Sequence, residues 1–228
     1  TQFTKADGLP DNIIYTVALA SNGDVWVGTK YGAARFDGSS WRIYKTSDSL
    51  FTNEVKKIVI DMNNVVWFSS TSAGVVRFDG ENWKHYTILD GIPSGSVTDL
   101  LVDKKNNLWI ATYLFYMKDK MGNYDESILY LHNETFVSCI ESSFGMNIDF
   151  QLLFCDDNNN IYTGGNIYWI LDIGDLTKIS YSDADEFVID GIINKDSHHF
   201  YDGIIDKNGT IWLLSSNGFG KYQNGKYS

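Results

Sequence analysis

One unit of roughly 40 to 50 residues recurs five times along this 228-residue chain. Its clearest part is the tetrapeptide Arg-Phe-Asp-Gly, found at residues 35–38 and again at residues 77–80. Each unit also has one aromatic residue shortly after a turn-like cluster, here called the anchor aromatic: Trp26, Trp67, Trp109, Tyr162 and Trp212. Repeats of this length are typical of propellers and solenoids, in which each unit buries its apolar face against its neighbours.

A turn precedes each anchor aromatic. Four of the five units place an aspartate six residues before the anchor, at Asp61, Asp103, Asp156 and Asp206, and Ala20 takes this position in the first unit. Aspartate and asparagine favour turns because their side chains hydrogen-bond to the local backbone. Asn and Gly residues follow, as in Asn208-Gly209, and they favour the tight turn of a β-hairpin. Each unit is therefore predicted to contain a hairpin.

The apolar runs before these turns are too short for helices. A third and a fourth strand are predicted after each anchor aromatic. In the fourth unit we place them at residues 167–171 and near Ile179, followed by a long linker at residues 183–197. Four strands per unit predict an all-β fold, a five-bladed β-propeller with four antiparallel strands per blade, and a solenoid is the structural alternative.

The repeats predict one β-propeller domain over residues 1–228, in which the anchor aromatics fill the space between blades. Residues 3–10 match the end of a fourth strand and the linker to the next blade. We therefore predict that the N-terminal strand completes the last blade and closes the ring. The approximate repeats are residues 8–49, 50–90, 91–143, 144–188, and 189–228 together with 1–7.

Charge and composition exclude some functions. The chain has 18 Lys and Arg against 29 Asp and Glu, a net charge of −11, which repels a nucleic acid backbone. We see no run near the ~20 apolar residues needed to span a membrane as a helix. No glycine-rich loop opens a helix, so no cofactor is predicted.

Neither metal binding nor catalysis is predicted from the sequence. His198 and His199 are adjacent, and neighbours on an extended strand point to opposite sides, so they are not expected to share an ion. His85 and His132 fall on outer strands. No Ser-His-Asp or Cys-His arrangement supports a nucleophile, and we assign no catalytic residue.

A polar position recurs just before the apolar run of each unit. Alignment on the anchor aromatics brings pairs of adjacent residues, ten and eleven positions before the anchor, to one register; the candidates among them are Tyr15, Lys56, Lys57, Asp99, Gln151, Tyr201 and Asp202. Near the mouth of a propeller channel they would form a concave polar site that orients a small ligand. The alternative is a water-filled channel with solvated polar walls.

The third unit carries an insertion rich in aromatic residues and methionine. From the anchor to the third strand it counts 22 residues, against ten in the first unit. Tyr113, Phe115 and Tyr116 in this insertion are suited to stack on a sugar ring or grip a peptide. The alternative is a loop that covers a neighbouring blade. His199, just after the linker at residues 183–197, completes the predicted ligand-binding set.

Residues 8–12 (Gly-Leu-Pro-Asp-Asn), residues 25–29 (Val-Trp-Val-Gly-Thr) and the Arg-Phe-Asp-Gly at residues 35–38 resemble the two-component regulator propeller repeat. The second unit is similar, and the third retains residues 91–93 and 108–112. Similar repeats form the periplasmic sensor region of bacterial hybrid two-component proteins, which often respond to polysaccharide fragments. The resemblance implies a periplasmic or extracellular protein, with a lipid-anchored envelope protein as one form.

The residues and the resemblance together predict a non-catalytic, sensor-type or ligand-binding propeller for a carbohydrate or a peptide. Its expected partners are a small-molecule or oligosaccharide ligand, or a protein. One alternative is a protein-interaction scaffold. A further alternative is a glycoside hydrolase or lyase, for which Asp99 and Asp202 are the candidate carboxylate pair.

Overall fold

The computed structural model describes residues 1–50, 52, 54–70, 72–92, 96–112, 127–132, 134–141, 147–168, 176–181, 187–192, 200–215, 218–223 and 226–227. The chain divides into two compact units, Thr1–Val102 and Asp103–Ser228. The strands are all antiparallel to the partners described for them, and four strands consecutive in the chain form each sheet.

In unit Thr1–Val102, the first sheet comprises β1 Ile14–Leu19, β2 Val25–Thr29, β3 Gly32–Phe36 and β4 Trp41–Tyr44. The second sheet comprises β5 Lys57–Ile60, β6 Val66–Ser70, β7 Gly74–Phe78 and β8 Trp83–Tyr86. The third begins with β9 Val97–Val102.

The third sheet continues with β10 Leu108–Thr112, β11 Ser127–His132 and β12 Thr135–Glu141. The fourth comprises β13 Asn147–Cys155, β14 Ile161–Tyr168, β15 Leu176–Tyr181 and β16 Phe187–Ile192. The fifth comprises β17 Phe200–Ile205, β18 Ile211–Ser215, β19 Gly218–Gln223 and β20 Lys226–Tyr227.

This architecture confirms the predicted fold class: all-β, with five four-stranded antiparallel sheets as the blades of a β-propeller. In the described part of the chain the helical elements are three single 3-10 turns, at Lys5–Asp7, Thr46–Asp48 and Ile88–Asp90. Each turn lies in a linker that leads to the first strand of a sheet. An aspartate at its third position accepts a hydrogen bond from the backbone that precedes it.

The predicted hairpin turns are present, and their aspartates also bind the anchor aromatics. Oδ1 of Asp103 accepts hydrogen bonds from the backbone N–H groups of Lys105 and Asn107, both at 2.8 Å. Its Oδ2 accepts one from Nε1 of Trp109 at 2.9 Å. The same contact joins Asp61 to Trp67, Asp156 to the Tyr162 hydroxyl, and Asp206 to Trp212. The recurring six-residue spacing between the aspartate and the anchor aromatic therefore fixes both the turn and the orientation of the ring that follows it.

The anchor aromatic of the first sheet packs against the second sheet, as predicted. Trp26 is 3% exposed, and its ring lies 5.6 Å from that of Phe68 and 6.0 Å from that of Phe78, between centroids. Tyr44, at the end of β4, extends this contact to Trp83 with a centroid distance of 5.7 Å. Aromatic rings at these distances and tilts attract each other beyond their buried area. The core of this unit therefore lies between the sheets.

Two strand predictions for the fourth sheet are wrong. Residues 161–168 form one long second strand, so Ile167 belongs to β14 and not to a third strand. Ile179 lies in β15, which is the third strand, and the fourth is β16, inside the segment predicted as a linker. The sequence prediction counted strand positions from the anchor aromatic, Tyr162. Because β14 is longer than the equivalent strand of the first sheet, every strand after it lies further along the chain than predicted.

The fourth strand of the fifth sheet is β20, which pairs with β19 through Tyr222 and Tyr227. The sequence assigned this position to the N-terminal segment, but residues 1–4 form no strand. Phe3 instead packs on the first sheet, with its ring 5.2 Å from that of Phe36 and 5.6 Å from that of Trp41. Two aromatic side chains there offer Phe3 an apolar contact within the same unit.

Candidate functional site

The predicted polar register coincides with a backbone irregularity. Pairing skips one residue between Ile14 and Thr16 in β1, and in the same way at the corresponding position of β13 and β17. The skipped residues are Tyr15, Gln151 and Tyr201, all members of the predicted set. A β-bulge changes the direction of a side chain and is over-represented next to functional sites. The bulge therefore takes these residues out of the regular ladder.

The second sheet shows a related arrangement. Lys57 is the cross-strand partner of Ser69, while the backbone N–H of the preceding residue, Lys56, donates to the Ser69 carbonyl at 3.0 Å. Two consecutive lysines thus lie opposite one residue of β6. Both are partly exposed, at 32% and 35% of the side chain.

Lys57 forms an ion pair with Asp99 of β9. Nζ of Lys57 lies 2.7 Å from Oδ1 of Asp99, and the side chain of Asp99 is 8% exposed. Oδ1 also accepts a hydrogen bond from the backbone N–H of Leu100 at 2.9 Å. A buried carboxylate is tolerated when it is paired and hydrogen-bonded, and Lys57 and the Leu100 backbone contribute to both conditions.

Lys56 contacts Tyr15 of β1. Its Nζ lies 4.0 Å from the centroid of the Tyr15 ring and 2.9 Å from Oε1 of Glu54. An ammonium at this distance from an aromatic ring is attracted by the electrons of the ring face. Tyr15 is 38% exposed, so part of the ring is open to solvent.

Four predicted site residues are therefore brought into two contacting pairs at the start of β1, β5 and β9. We call Tyr15, Lys56, Lys57 and Asp99 the inner-strand cluster. Sequence reasoning did not identify two residues that contact this cluster, Glu54 and Thr16. Glu54 could have been found from its position two residues before Lys56. Oγ1 of Thr16 accepts a hydrogen bond from the backbone N–H of Ile58 at 3.3 Å. These two residues hold the cluster in place.

Three further predicted residues, Gln151, Tyr201 and Asp202, belong to the unit Asp103–Ser228. Asp202, in the unit Asp103–Ser228, is exposed, and its Oδ1 accepts a hydrogen bond from the backbone N–H of Gly203 at 2.8 Å. Gln151 and Tyr201 are strand residues at bulges. Tyr113, Phe115, Tyr116 and His199 fall outside the described residues.

Within the described part of the chain, no three His, Cys, Asp or Glu residues come together in a way that could hold a metal ion. The same part of the chain contains no helix long and apolar enough to cross a membrane.

The sheets and their topology define the class of protein as a β-propeller. Within that class, residues 8–31 and 91–114 match the sequence pattern described as the two component regulator propeller. The match falls in the first and third units and confirms the resemblance inferred from their motifs. A search of curated protein sequences finds no match.

Solved structures share the fold. One is assigned as the extracellular domain of a hybrid two component system from B. thetaiotaomicron; it is 18% identical with a TM-score of 0.74, over 100% of this chain and 31% of that chain. Another is PorZ, a surface component of the type-IX secretion system of Porphyromonas gingivalis. It is 15% identical with a TM-score of 0.65, and the match covers 92% of this chain and 33% of that chain. This chain therefore spans about a third of either structure.

An enzyme is also similar in fold. Virginiamycin B lyase from Staphylococcus aureus is 12% identical with a TM-score of 0.68, and the match covers 94% of this chain and 68% of the lyase. At such identities the likeness concerns the fold and leaves the function to be argued from the site.

Proposed function

We propose that this protein is a non-catalytic, sensor-type propeller that binds a carbohydrate outside the cytoplasm, at the inner-strand cluster. The observation that supports this most is the half-exposed Tyr15 ring with the Lys56 ammonium 4.0 Å from its centroid. The Lys57–Asp99 ion pair lies on the two strands that follow. The other residues of the predicted ligand-binding set are not part of this cluster and remain sequence predictions: Tyr113, Phe115, Tyr116, Gln151, His199, Tyr201 and Asp202.

The chemistry of the cluster suits a sugar. The C–H face of a pyranose packs on an aromatic ring, and Tyr15 offers the part of its ring that Lys56 leaves open. Hydroxyl groups both donate and accept hydrogen bonds, so an ammonium and a carboxylate side by side can bind adjacent hydroxyls. A site of few, well-placed polar groups on a rigid sheet fixes the orientation of such a ligand.

The ion pair argues against hydrolysis at this cluster. A glycosidase needs one carboxyl group that holds a proton and donates it to the leaving oxygen. Oδ1 of Asp99 lies 2.7 Å from the Lys57 ammonium and accepts a hydrogen bond from the backbone N–H of Leu100, so it is an acceptor in both contacts. We therefore assign Asp99 the role of positioning Lys57 and binding ligand, and not that of a general acid.

A location outside the cytoplasm is supported by the repeat and by the proteins that share the fold. The repeat is that of two component regulators, and one structure with this fold is assigned as an extracellular domain. We infer a periplasmic or extracellular protein whose ligand is a fragment of a polysaccharide. The alternative ligand is a peptide, and the experiment must distinguish it from a polysaccharide fragment.

The test is a binding screen with defined neutral and acidic oligosaccharides and, separately, with a peptide array. Any oligosaccharide that binds is then titrated by calorimetry against wild type, Tyr15→Ala and Lys56→Ala. We expect each substitution to weaken binding about tenfold or more, equivalent to about 1.4 kcal/mol. Incubation with the same oligosaccharides should give no cleavage products.

Tyr31→Ala is the matched control. Tyr31 is 52% exposed and also lies near two lysines, Lys5 and Lys30, but it belongs to the turn between β2 and β3. Binding should persist in this variant. An equal loss in Tyr15→Ala and Tyr31→Ala, capture of peptides alone, or cleavage of the bound sugar would each contradict the proposal.

A further inference from the structure

The charges around the inner-strand cluster are balanced. Three segments of the unit Thr1–Val102 hold the same positions before their anchor aromatics, at residues 13–16, 54–57 and 96–99. Their charged residues are two lysines, Lys56 and Lys57, and two acidic residues, Glu54 and Asp99. The three segments together therefore carry no net charge, although the whole chain has a net charge of −11.

Each ammonium of the cluster lies beside one carboxylate. Nζ of Lys57 is 2.7 Å from Oδ1 of Asp99, and Nζ of Lys56 is 2.9 Å from Oε1 of Glu54. An ammonium has three N–H donors, and one carboxylate oxygen at this distance accepts from only one of them. Each lysine therefore keeps donors for an uncharged acceptor such as a sugar hydroxyl. The cluster offers hydrogen bonds to a ligand while its positive charges are compensated.

Asp99 retains the Lys57 ammonium. The Asp99 side chain is 8% exposed, and its Oδ1 also accepts a hydrogen bond from the backbone N–H of Leu100. An acidic ligand that drew the ammonium away would separate a buried carboxylate from a cation that stabilises it, which is costly. Lys56 is therefore the lysine of this cluster that an acidic ligand would meet at lower cost.

The backbone that carries Glu54 is held in place beside Lys56. The N–H of Glu54 donates to Oγ1 of Thr52 at 3.1 Å. The N–H of the next residue, Val55, donates to the Thr29 carbonyl at 2.9 Å, and Val55 itself is fully buried. These contacts keep the Glu54 carboxylate within reach of the Lys56 ammonium.

Glu54 has no acidic counterpart in the neighbouring segments. The equivalent positions, thirteen residues before the anchor aromatic, hold Ile13 in the first segment and Ser96 in the third. The carboxylate thus accompanies the segment that also carries both lysines. A charge placed in this way controls which ligand charges the lysines can accept.

We propose that the inner-strand cluster selects neutral over acidic oligosaccharides, and that Glu54 is the residue that excludes the acidic ones. This inference rests on the carbohydrate binding that we propose for the cluster. A uronate that bound Lys56 would lie close to the Glu54 carboxylate, and like charges at such a separation repel each other. The net charge of the chain adds a repulsion of longer range, which salt screens. A neutral hydroxyl meets neither obstacle.

The test uses three pairs of tetrasaccharides, built from glucose, mannose or galactose and from the corresponding uronic acids, with the same linkage within a pair. Calorimetry measures their affinities for wild type and Glu54→Gln. Wild type should bind the neutral member of a pair about tenfold or more tightly than the acidic member. Glu54→Gln keeps an oxygen acceptor for Lys56 but removes the negative charge, so this ratio should fall about tenfold. Affinity for the neutral member should change less than about threefold.

Two further variants separate the charge of Glu54 from a structural effect. Glu81→Gln removes the same charge from the same unit, in the turn between β7 and β8, and should keep the wild-type ratio. The double substitution Glu54→Gln and Lys56→Gln should restore the preference for the neutral member, because the ammonium that would bind the uronate is gone. Added salt should weaken the binding of the acidic member to Glu54→Gln, and it should leave the binding of the neutral member to wild type unchanged.

The outcomes distinguish this inference from the proposed function. If wild type bound none of the tetrasaccharides, carbohydrate binding at this cluster would be contradicted, and selection by charge with it. If wild type bound an acidic tetrasaccharide as tightly as its neutral counterpart, or if Glu54→Gln kept the wild-type ratio, selection by Glu54 would be overturned while carbohydrate binding stood. Circular dichroism of each variant verifies that the sheets are retained.

Discussion

Nζ of Lys57 lies 2.7 Å from Oδ1 of Asp99, and this ion pair joins the first strands of the second and third sheets. Its two members differ in exposure, at 35% for Lys57 and 8% for Asp99. The carboxylate is thus the more desolvated partner, and the nearby ammonium stabilises it. The pair contributes both to the proposed ligand site and to the stability of the unit that contains it.

Lys57→Met should lower the free energy of unfolding by about 1 to 2 kcal/mol, because it removes the ammonium that lies 2.7 Å from the buried Asp99 carboxylate. Partial exposure of the lysine keeps the loss below that of a fully buried pair. Urea denaturation at neutral pH measures it. Lys56→Met is the control, since Lys56 pairs with the similarly exposed Glu54, and a change within about 0.5 kcal/mol is expected. Equal losses would show that burial of Asp99 is not the cause.

The turn aspartates give a second prediction. Asp103 is 2% exposed and accepts hydrogen bonds from Nε1 of Trp109 and from the side chain of Asn159, at 2.9 and 3.2 Å. Asp103→Ala should cost about 3 kcal/mol or more, because several buried donors lose their acceptor together. Urea unfolding followed by tryptophan fluorescence reports both the loss and the altered environment of Trp109.

Asp206→Ala is the matched comparison for Asp103→Ala. Asp206 also binds its anchor, Trp212, at 3.0 Å and occupies the same turn position, but it is partly exposed. Water can replace its hydrogen bonds, so its loss should be clearly smaller. If the two substitutions destabilised the protein equally, burial would not explain the role of Asp103.

The sequence predicted the repeating parts of this fold because they rest on local chemistry. Turn residues and short apolar runs located the hairpins, and the aspartate spacing pointed to the turns. The fourth sheet departed from prediction because β13 and β14 have nine and eight residues, against five in β2. Counting at fixed spacing from Tyr162 therefore placed the third strand too early.

The inner-strand cluster was predictable in composition but not in geometry. Alignment placed Tyr15, Lys57 and Asp99 in one register two residues wide, since Tyr15 stands eleven residues before its anchor and the other two stand ten. The bulge at Tyr15 depends on how β1 pairs with β2, and the contact of Lys57 with Asp99 depends on how β5 packs beside β9. Both are properties of tertiary structure, which spacing along one chain does not encode.

A backbone position in the linker between the first and second sheets gives a third prediction. Ser49 has φ 72°, in the left-handed region, at the end of the 3-10 turn Thr46–Asp48. The same position holds glycine in the other two linkers, at Gly8 and Gly91. Ser49→Gly should raise the free energy of unfolding by about 0.5 kcal/mol, because removal of the side-chain strain exceeds the added freedom of the unfolded chain. Ser47→Gly, inside the turn, should lower it, and the opposite order in urea denaturation would contradict the argument.

The turns between third and fourth strands give a prediction on pH. Hydrogen bonds from the backbone N–H groups of Asn82 and Glu81 lower the pKa of Asp79 to about 2, from an ordinary value of 3.8. In the equivalent turn of the first sheet, the Ser39 hydroxyl and the backbone of Ser40 and Ser39 also lower the pKa of Asp37. These carboxylates bind a proton less readily in the folded chain than in the unfolded chain.

A depressed folded pKa contributes stability that is present above the unfolded pKa and is lost as the pH falls through the folded value. The urea midpoint should therefore decrease between about pH 4 and pH 2. Asp79→Asn keeps an oxygen acceptor for the turn but does not titrate, so it should reduce the pH slope in this window. Glu81→Gln changes a neighbouring carboxylate, leaves the hydrogen bonds to Asp79 in place, and should keep the wild-type slope. A wild-type slope in Asp79→Asn as well would mean that this turn does not link folding to proton binding.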